Sequence, residues 1–197
     1  MRKERVGFAV CGSFCTHKAV LSALEQLTDI YETVIPIVSE TAAFTDTRFG
    51  TSDHLLEMLE DLTGNEVLCD IPSVEPIGPQ KLLDVLVIAP ATGNTIAKLA
   101  AGITDTAVTM AAKAHLRNGG PVVIAMASND GLSAGAKNIG ELLVRKHYYF
   151  VPFGQDAPLQ KPTSLVGDFS LIPQTVAAAL EHRQLQPVLV KYPMETS

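Results

Sequence analysis

Charged side chains are scarce in this chain, at 18% of its 197 residues, whereas hydrophobic residues make up 47%. That much apolar surface has to be hidden in a core or between subunits, which favours a homo-oligomer. A basic stripe is also missing. The formal net charge is −6 and the lysines and arginines are scattered, so a nucleic-acid backbone finds nothing to bind. No apolar run approaches the ~20 residues of a bilayer-spanning helix. The opening Met1-Arg2-Lys3-Glu4-Arg5 leads directly into a strand rather than a signal segment. A membrane partner is not expected, and a cytoplasmic location is. The three cysteines, Cys11, Cys15 and Cys69, are odd in number and lie among apolar residues. They read as reduced, mostly buried thiols, not as disulfides or a metal site. Two nucleotide signatures are absent as well. Val10-Cys11-Gly12-Ser13-Phe14-Cys15 lacks the three spaced glycines of a dinucleotide turn, and no Walker lysine motif occurs, which argues against an ATPase.

What is present is an alternation of strand and helix patterns. Residues 5–11 form an apolar strand, Gly12-Ser13 a turn, and residues 16–27 a helix with Val20, Leu21, Leu24 and Leu27 at helical spacing. Residues 33–38, 85–89, 121–127 and 148–151 read as further strands. Residues 51–62 read as a helix, as do 106–116, capped by Asp105, and 137–146, with Ile139, Leu142 and Leu143 on one face. Such alternation predicts an α/β, Rossmann-like, doubly wound and mostly parallel sheet with helices on both faces. One domain over residues 1–197 is expected. Proline and glycine recur over 154–173, which reads as a long loop before a helix at 174–182. Residues 185–192 fit an edge strand, an arm on a neighbour, or part of an extended tail over 185–197.

The run Asp84-Val85-Leu86-Val87-Ile88-Ala89-Pro90-Ala91-Thr92-Gly93-Asn94-Thr95 is the most informative segment. Five consecutive apolar residues suit a parallel strand covered on both faces. Pro90 is expected to stop the ladder, Gly93 to allow close backbone approach, and Thr92, Asn94 and Thr95 to head a helix. An ordinary capped connection has the same composition. However, Gly12-Ser13, Ser39 and residues 91–95 all follow strands, and ligands of open parallel sheets bind at the strands' carboxyl ends. Their hydroxyl, amide and helix-end donors suit a single phosphate and a heteroaromatic ring.

Gly12-Ser13, Ser39, Pro90-Ala91-Thr92-Gly93-Asn94-Thr95-Ile96-Ala97-Lys98, Gly102-Ile103-Thr104-Asp105 and Ala125-Met126-Ala127-Ser128 resemble the homo-oligomeric flavin-containing cysteine decarboxylase family. That family includes the flavin prenyltransferases. The likeness spans residues 6–152. Glu75-Pro76-Ile77-Gly78-Pro79 and Met126-Ala127-Ser128-Asn129-Asp130-Gly131-Leu132 are similar to a branch that forms dipicolinate, pyridine-2,6-dicarboxylate, in the mother cell during sporulation. The resemblance implies FMN at a subunit interface, a trimer-based homo-oligomer, and a companion A subunit carrying NAD(P). It places Gly12 and Ser13 at the phosphate or ring of FMN and Ser39 at the phosphate. Ala91, Thr92, Asn94 and Thr95 fall at the cofactor and neighbouring acid, and Met126 and Ala127 on the substrate side.

One departure from the family is chemical. The decarboxylases carry a catalytic histidine before the isoleucine that lies seven residues ahead of the strand-opening aspartate; here Ile77 precedes Asp84 by that distance and the residue before it is Pro76. Proline neither titrates nor donates a backbone hydrogen bond, so cysteine decarboxylation and prenyl transfer are disfavoured. His54, beside Asp53 and Glu57, is a candidate acid or base. His17 lies near the phosphate turn, and His115, His147 and His182 fall near helix ends, where solvated roles are the default. A dihydropyridine dicarboxylate calls for cations. Arg48, Lys98, Lys137, Arg145 and Lys161 are available, with Arg48 in the polar loop after Ser39 the first choice.

Overall fold

The computed structural model describes residues 1–190. The sequence builds β1 (Arg2–Val10), α1 (His17–Ile30), β2 (Tyr31–Val38), α2 (Glu40–Ala43), α3 (Ser52–Thr63), α4 (Ile71–Val74) and β3 (Val85–Ala91). These are followed by α5 (Gly93–Ala101), α6 (Ala107–Leu116), β4 (Val122–Ser128), α7 (Ala136–Leu143), β5 (Tyr148–Phe150), β6 (Phe153–Gly154), β7 (Leu165–Gly167) and α8 (Ile172–Leu180). Strands β2-β1-β3-β4 run parallel in that order, and β5 continues the parallel sheet beside the first half of β4. The last two residues of β4 pair instead with β7, which forms an antiparallel hairpin with β6. The parallel order 2-1-3-4-5 is the flavodoxin-like form of the Rossmann-like sheet, whose switch point lies between β1 and β3.

The two-residue period of the strands divides the core into two layers. Val6, Phe8 and Val10 of β1, Val85, Val87 and Ala89 of β3, and Val123, Ala125 and Ala127 of β4 pack under α1, α3 and α8. Their neighbours Ala9, Leu86, Ile88, Val122, Ile124 and Met126 face α5, α6 and α7. All seven residues of β3 are buried, as its continuous apolar run predicts.

Pro90 does not end β3. The strand continues to Ala91, which pairs with Met126, but the register shifts between Ile88 and Ala91. The missing N–H at Pro90 breaks the ladder locally and produces a bulge. In consequence Ala91 leaves the layer of Val85, Val87 and Ala89 and joins the opposite one.

Other expectations change in detail. Thr106, not Asp105, caps α6, through a reciprocal pair with Thr109, while Asp105 accepts from Lys98 Nζ at 2.8 Å. Leu143 is exposed because α7 ends there. Residues 154–173 contain β7 and a 3₁₀ turn at Phe169–Leu171 rather than a loop alone. Val190 N–H donates to Phe153 O at 2.9 Å and Phe153 N–H to Val188 O at 3.0 Å, so Leu189 forms a single parallel bridge to Phe153 of its own chain. Positions 191–197 of the expected tail lie outside the described residues. Of the cysteines only Cys11 is buried; Cys69 is half-buried and Cys15 exposed. His115 is also buried rather than solvated. Its Nε2–H donates to the Pro121 carbonyl at 3.1 Å, and its ring lies so close under Gly120 that a Cβ there would collide with it.

Candidate functional site

At the switch point, the turns after β1 and β3 are bonded to each other. Thr92 has extended backbone angles and caps α5, its hydroxyl accepting from Thr95 N–H at 3.2 Å. The Thr95 hydroxyl lies 3.0 Å from that of Thr92 and donates to Cys11 Sγ at 3.4 Å. Burial pushes the Cys11 thiol up to about 11, with the Thr95 hydrogen bond pulling the other way, so it is a neutral packing group and acceptor at pH 7. On the other side, His17 Nε2–H donates to Cys11 O at 2.8 Å. Burial holds the His17 imidazole below its ordinary value, with the Cys11 carbonyl opposing this.

Ser39 caps the short α2, its hydroxyl accepting from Ala42 N–H at 3.4 Å, while Ser39 N–H donates to Val10 O at 2.9 Å. The sheet therefore gathers Gly12, Ser13, Ser39, Ala91, Thr92, Asn94 and Thr95 along its carboxyl edge at the ends of β1, β2 and β3. Ala91, Ser39 and Thr95 are buried, Gly12, Ser13 and Thr92 are half-buried, and Asn94 is exposed. Met126 is fully buried and Ala127 nearly so at the end of β4, so they border the site through backbone rather than reaching into it.

Space over the β1 turn is open. A Cβ on Gly12 would meet only ordinary contacts, Phe14 Cε2 at 3.7 Å and Thr41 Cγ2 at 3.8 Å, so packing within the chain does not require glycine there. Gly93 is the reverse, since its Cβ would lie 2.6 Å from Ser128 Oγ and 2.7 Å from Asp130 Oδ1. The close approach expected at Gly93 is thus to the β4 turn of the same chain. Hydroxyl and amide donors around an open glycine turn, at the amino terminus of the nine-residue α5, fit the phosphate and ribityl chain of FMN.

Sequence reasoning missed Glu40. Its Oε1 accepts from Ala107 N–H at 2.9 Å, and its Oε2 is buried without a hydrogen-bond partner among the described residues. It joins the start of α2 to the start of α6, 67 residues along the chain, a distance no local pattern reports.

Beside the turn, a cavity of about 520 Å³ lies between α1 and α3 beneath the 45–51 loop. Phe14 and His17 line it from the β1 side and His54 from α3. Arg48, in the covering loop, is exposed with its guanidinium 4.8 Å from the Phe49 ring centre. Three of the other expected cations are engaged elsewhere. Lys98 pairs with Asp105, Lys161 with Asp156, and Arg145 donates to Leu99 O and Ala100 O at the end of α5. Pro76 occupies a 3₁₀ turn at Glu75–Ile77.

Known proteins are similar to this chain in sequence and fold. Over 191 residues the chain is 44% identical to the B subunit of dipicolinate synthase from Bacillus subtilis strain 168, covering 97% of this chain and 96% of that protein. The crystal structure of the corresponding dipicolinate synthase chain from Bacillus halodurans matches with a TM-score of 0.88 at 43% identity, covering 95% of this chain and 96% of that one. The FMN-dependent cysteine decarboxylase SpaF matches with a TM-score of 0.69 at 25% identity, over 90% of this chain and 95% of its own. The Flavoprotein family model matches residues 1–149, well over half the chain, and the chain belongs to that family.

Proposed function

We propose that this chain is the flavin-binding B subunit of a dipicolinate synthase. Acting with an A subunit, it converts dihydrodipicolinate, or its hydroxylated precursor, to dipicolinate during sporulation. The observation that carries the reading is the bonded switch point, Thr95 to Cys11, which sets polar donors around an open glycine turn. The 44% identity to the Bacillus subtilis protein supports the reaction.

Gly12, Ser13 and Ser39 would hold the FMN phosphate, and Ala91, Thr92, Asn94 and Thr95 the rest of the cofactor. Bound FMN would supply a hydride acceptor for aromatisation of the dihydropyridine ring. The chain's own part is to orient the dianionic substrate and take its proton. His54 and Arg48 are the candidates, and Met126 and Ala127 form the wall on the substrate side. Aromatisation itself favours product, so positioning is the main demand on the protein. Completion of the site by neighbouring copies in a trimer-based oligomer, NAD(P) on the A subunit and a mother-cell cytoplasmic location belong to the same proposal. No helix among the described residues is long and apolar enough to cross a membrane.

A second reading is a flavin-fold scaffold that only stabilises the A subunit. Decarboxylation is disfavoured by Pro76, which offers no proton-transferring group. The deciding experiment is dipicolinate formation by purified subunits alone and mixed. Activity that requires this chain and falls in a Thr95 variant supports the catalytic reading; full activity of the A subunit unaided overturns it.

A further inference from the structure

We infer that the cavity between α1 and α3, beside the flavin turn, is a ligand compartment that takes a small planar ring bearing carboxylates. At about 520 Å³ it falls within the roughly 300–1,000 Å³ range of small-molecule sites. Its walls combine flat and flexible apolar surface, Phe14, Phe49 and Met58, with Lys18 from α1 and His54 from α3.

Charge selects the ligand class. The chain has 21 acidic residues against 15 lysines and arginines, yet none of the side chains lining this cavity is a carboxylate. The nearest acid in the covering loop, Asp46, is committed to Ser52, accepting from its N–H at 2.9 Å and its hydroxyl at 3.1 Å. His17 gives its Nε2–H to Cys11 O and its burial disfavours the charged imidazole, which leaves Lys18 as the cation and His54 as a polar partner on the facing helix. An apolar slot with a cation on one wall and a hydrogen-bonding ring on the other suits a flat molecule with a carboxylate at each end. The α3 amino terminus, capped by Thr51, adds partial positive charge.

Phe14 is shared by this compartment and the flavin turn, since it lines the cavity and its ring also stands 3.7 Å from the position of a Cβ on Gly12. The naming of the ligand rests on the function proposed above; the site itself does not depend on flavin.

Calorimetric titration of the full chain with pyridine-2,6-dicarboxylate tests it, using Lys18→Met and His54→Gln. Both residues are exposed, and thermal unfolding checks that the variants fold. Each substitution is expected to weaken dicarboxylate binding tenfold or more with FMN affinity unchanged. The dicarboxylate is also expected to slow alkylation of Cys15, which lines the same cavity. Dicarboxylate affinity within threefold of the native chain in both variants, no binding by the native chain, or an equal loss of FMN overturns the inference. Protection of Cys15 in a chain that binds no FMN sustains it while removing the flavin reading.

Discussion

The hydroxyl of Thr95 donates to the thiol of Cys11 across 3.4 Å, joining the turn after β3 to the end of β1. Thr95 also shares a hydrogen bond with Thr92, the cap of α5. Thr95→Val removes both side-chain bonds while keeping the volume. It is expected to cost about 1–2 kcal/mol in urea unfolding and to weaken FMN binding, because the head of α5 loses its anchor.

Gly12 and Gly93 differ in the space a side chain would find. Gly93→Ala drives a Cβ into the bonded Ser128–Asp130 pair and is expected to cost roughly 1–3 kcal/mol. Gly12→Ala meets only ordinary contacts, so its stability change is expected within about 0.5 kcal/mol. A stable Gly12→Ala chain with strongly reduced FMN affinity is the expected pairing. Unchanged affinity would place the phosphate elsewhere.

Much of the fold is legible because the core strands are buried on both faces and their residues are consecutive and apolar, as in Val85–Ile88. The turn after β3 is legible because Thr92 is a cap by type and position, and Ser39 is legible as a polar residue at a strand end, although its capping of the four-residue α2 is not. Four features are hidden for physical reasons. The bulge at Pro90 reverses Ala91 between layers, which a strict period of two does not anticipate. The two- and three-residue strands β6 and β7 are too short to show a period. The Glu40 to Ala107 bond and the burial of His115 under Gly120 arise only from tertiary contact.

Acid weakens the fold through histidine. Burial holds His115 and His17 below the ordinary 6.5, opposed by hydrogen bonds to Pro121 O and Cys11 O respectively. The unfolded chain therefore binds more protons in the window between the lowered values and 6.5. Their contribution is complete above 6.5 and is lost as pH falls through the lowered values. Urea unfolding at pH 5.5 is expected to show lower stability than at pH 7.5, with a smaller difference in His115→Gln, whose amide can still donate to Pro121 O. Equal pH dependence in the variant would assign the effect elsewhere.

Thiol labelling at pH 7 is expected to modify exposed Cys15 first, half-buried Cys69 more slowly, and Cys11 only on unfolding. Labelling followed by peptide mass analysis checks the order. Early modification of Cys11 would mean that the Thr95 contact opens readily.

The proposed flavin site at the switch point is tested most directly by titrating the purified chain with FMN, followed by flavin fluorescence and absorbance. The titration is done with and without the A subunit and dipicolinate. The expected result is saturable binding that dipicolinate perturbs and that Gly12→Ala diminishes. An absence of binding under every condition would contradict the account and leave the chain as a scaffold, with oxidation carried by the partner's nicotinamide.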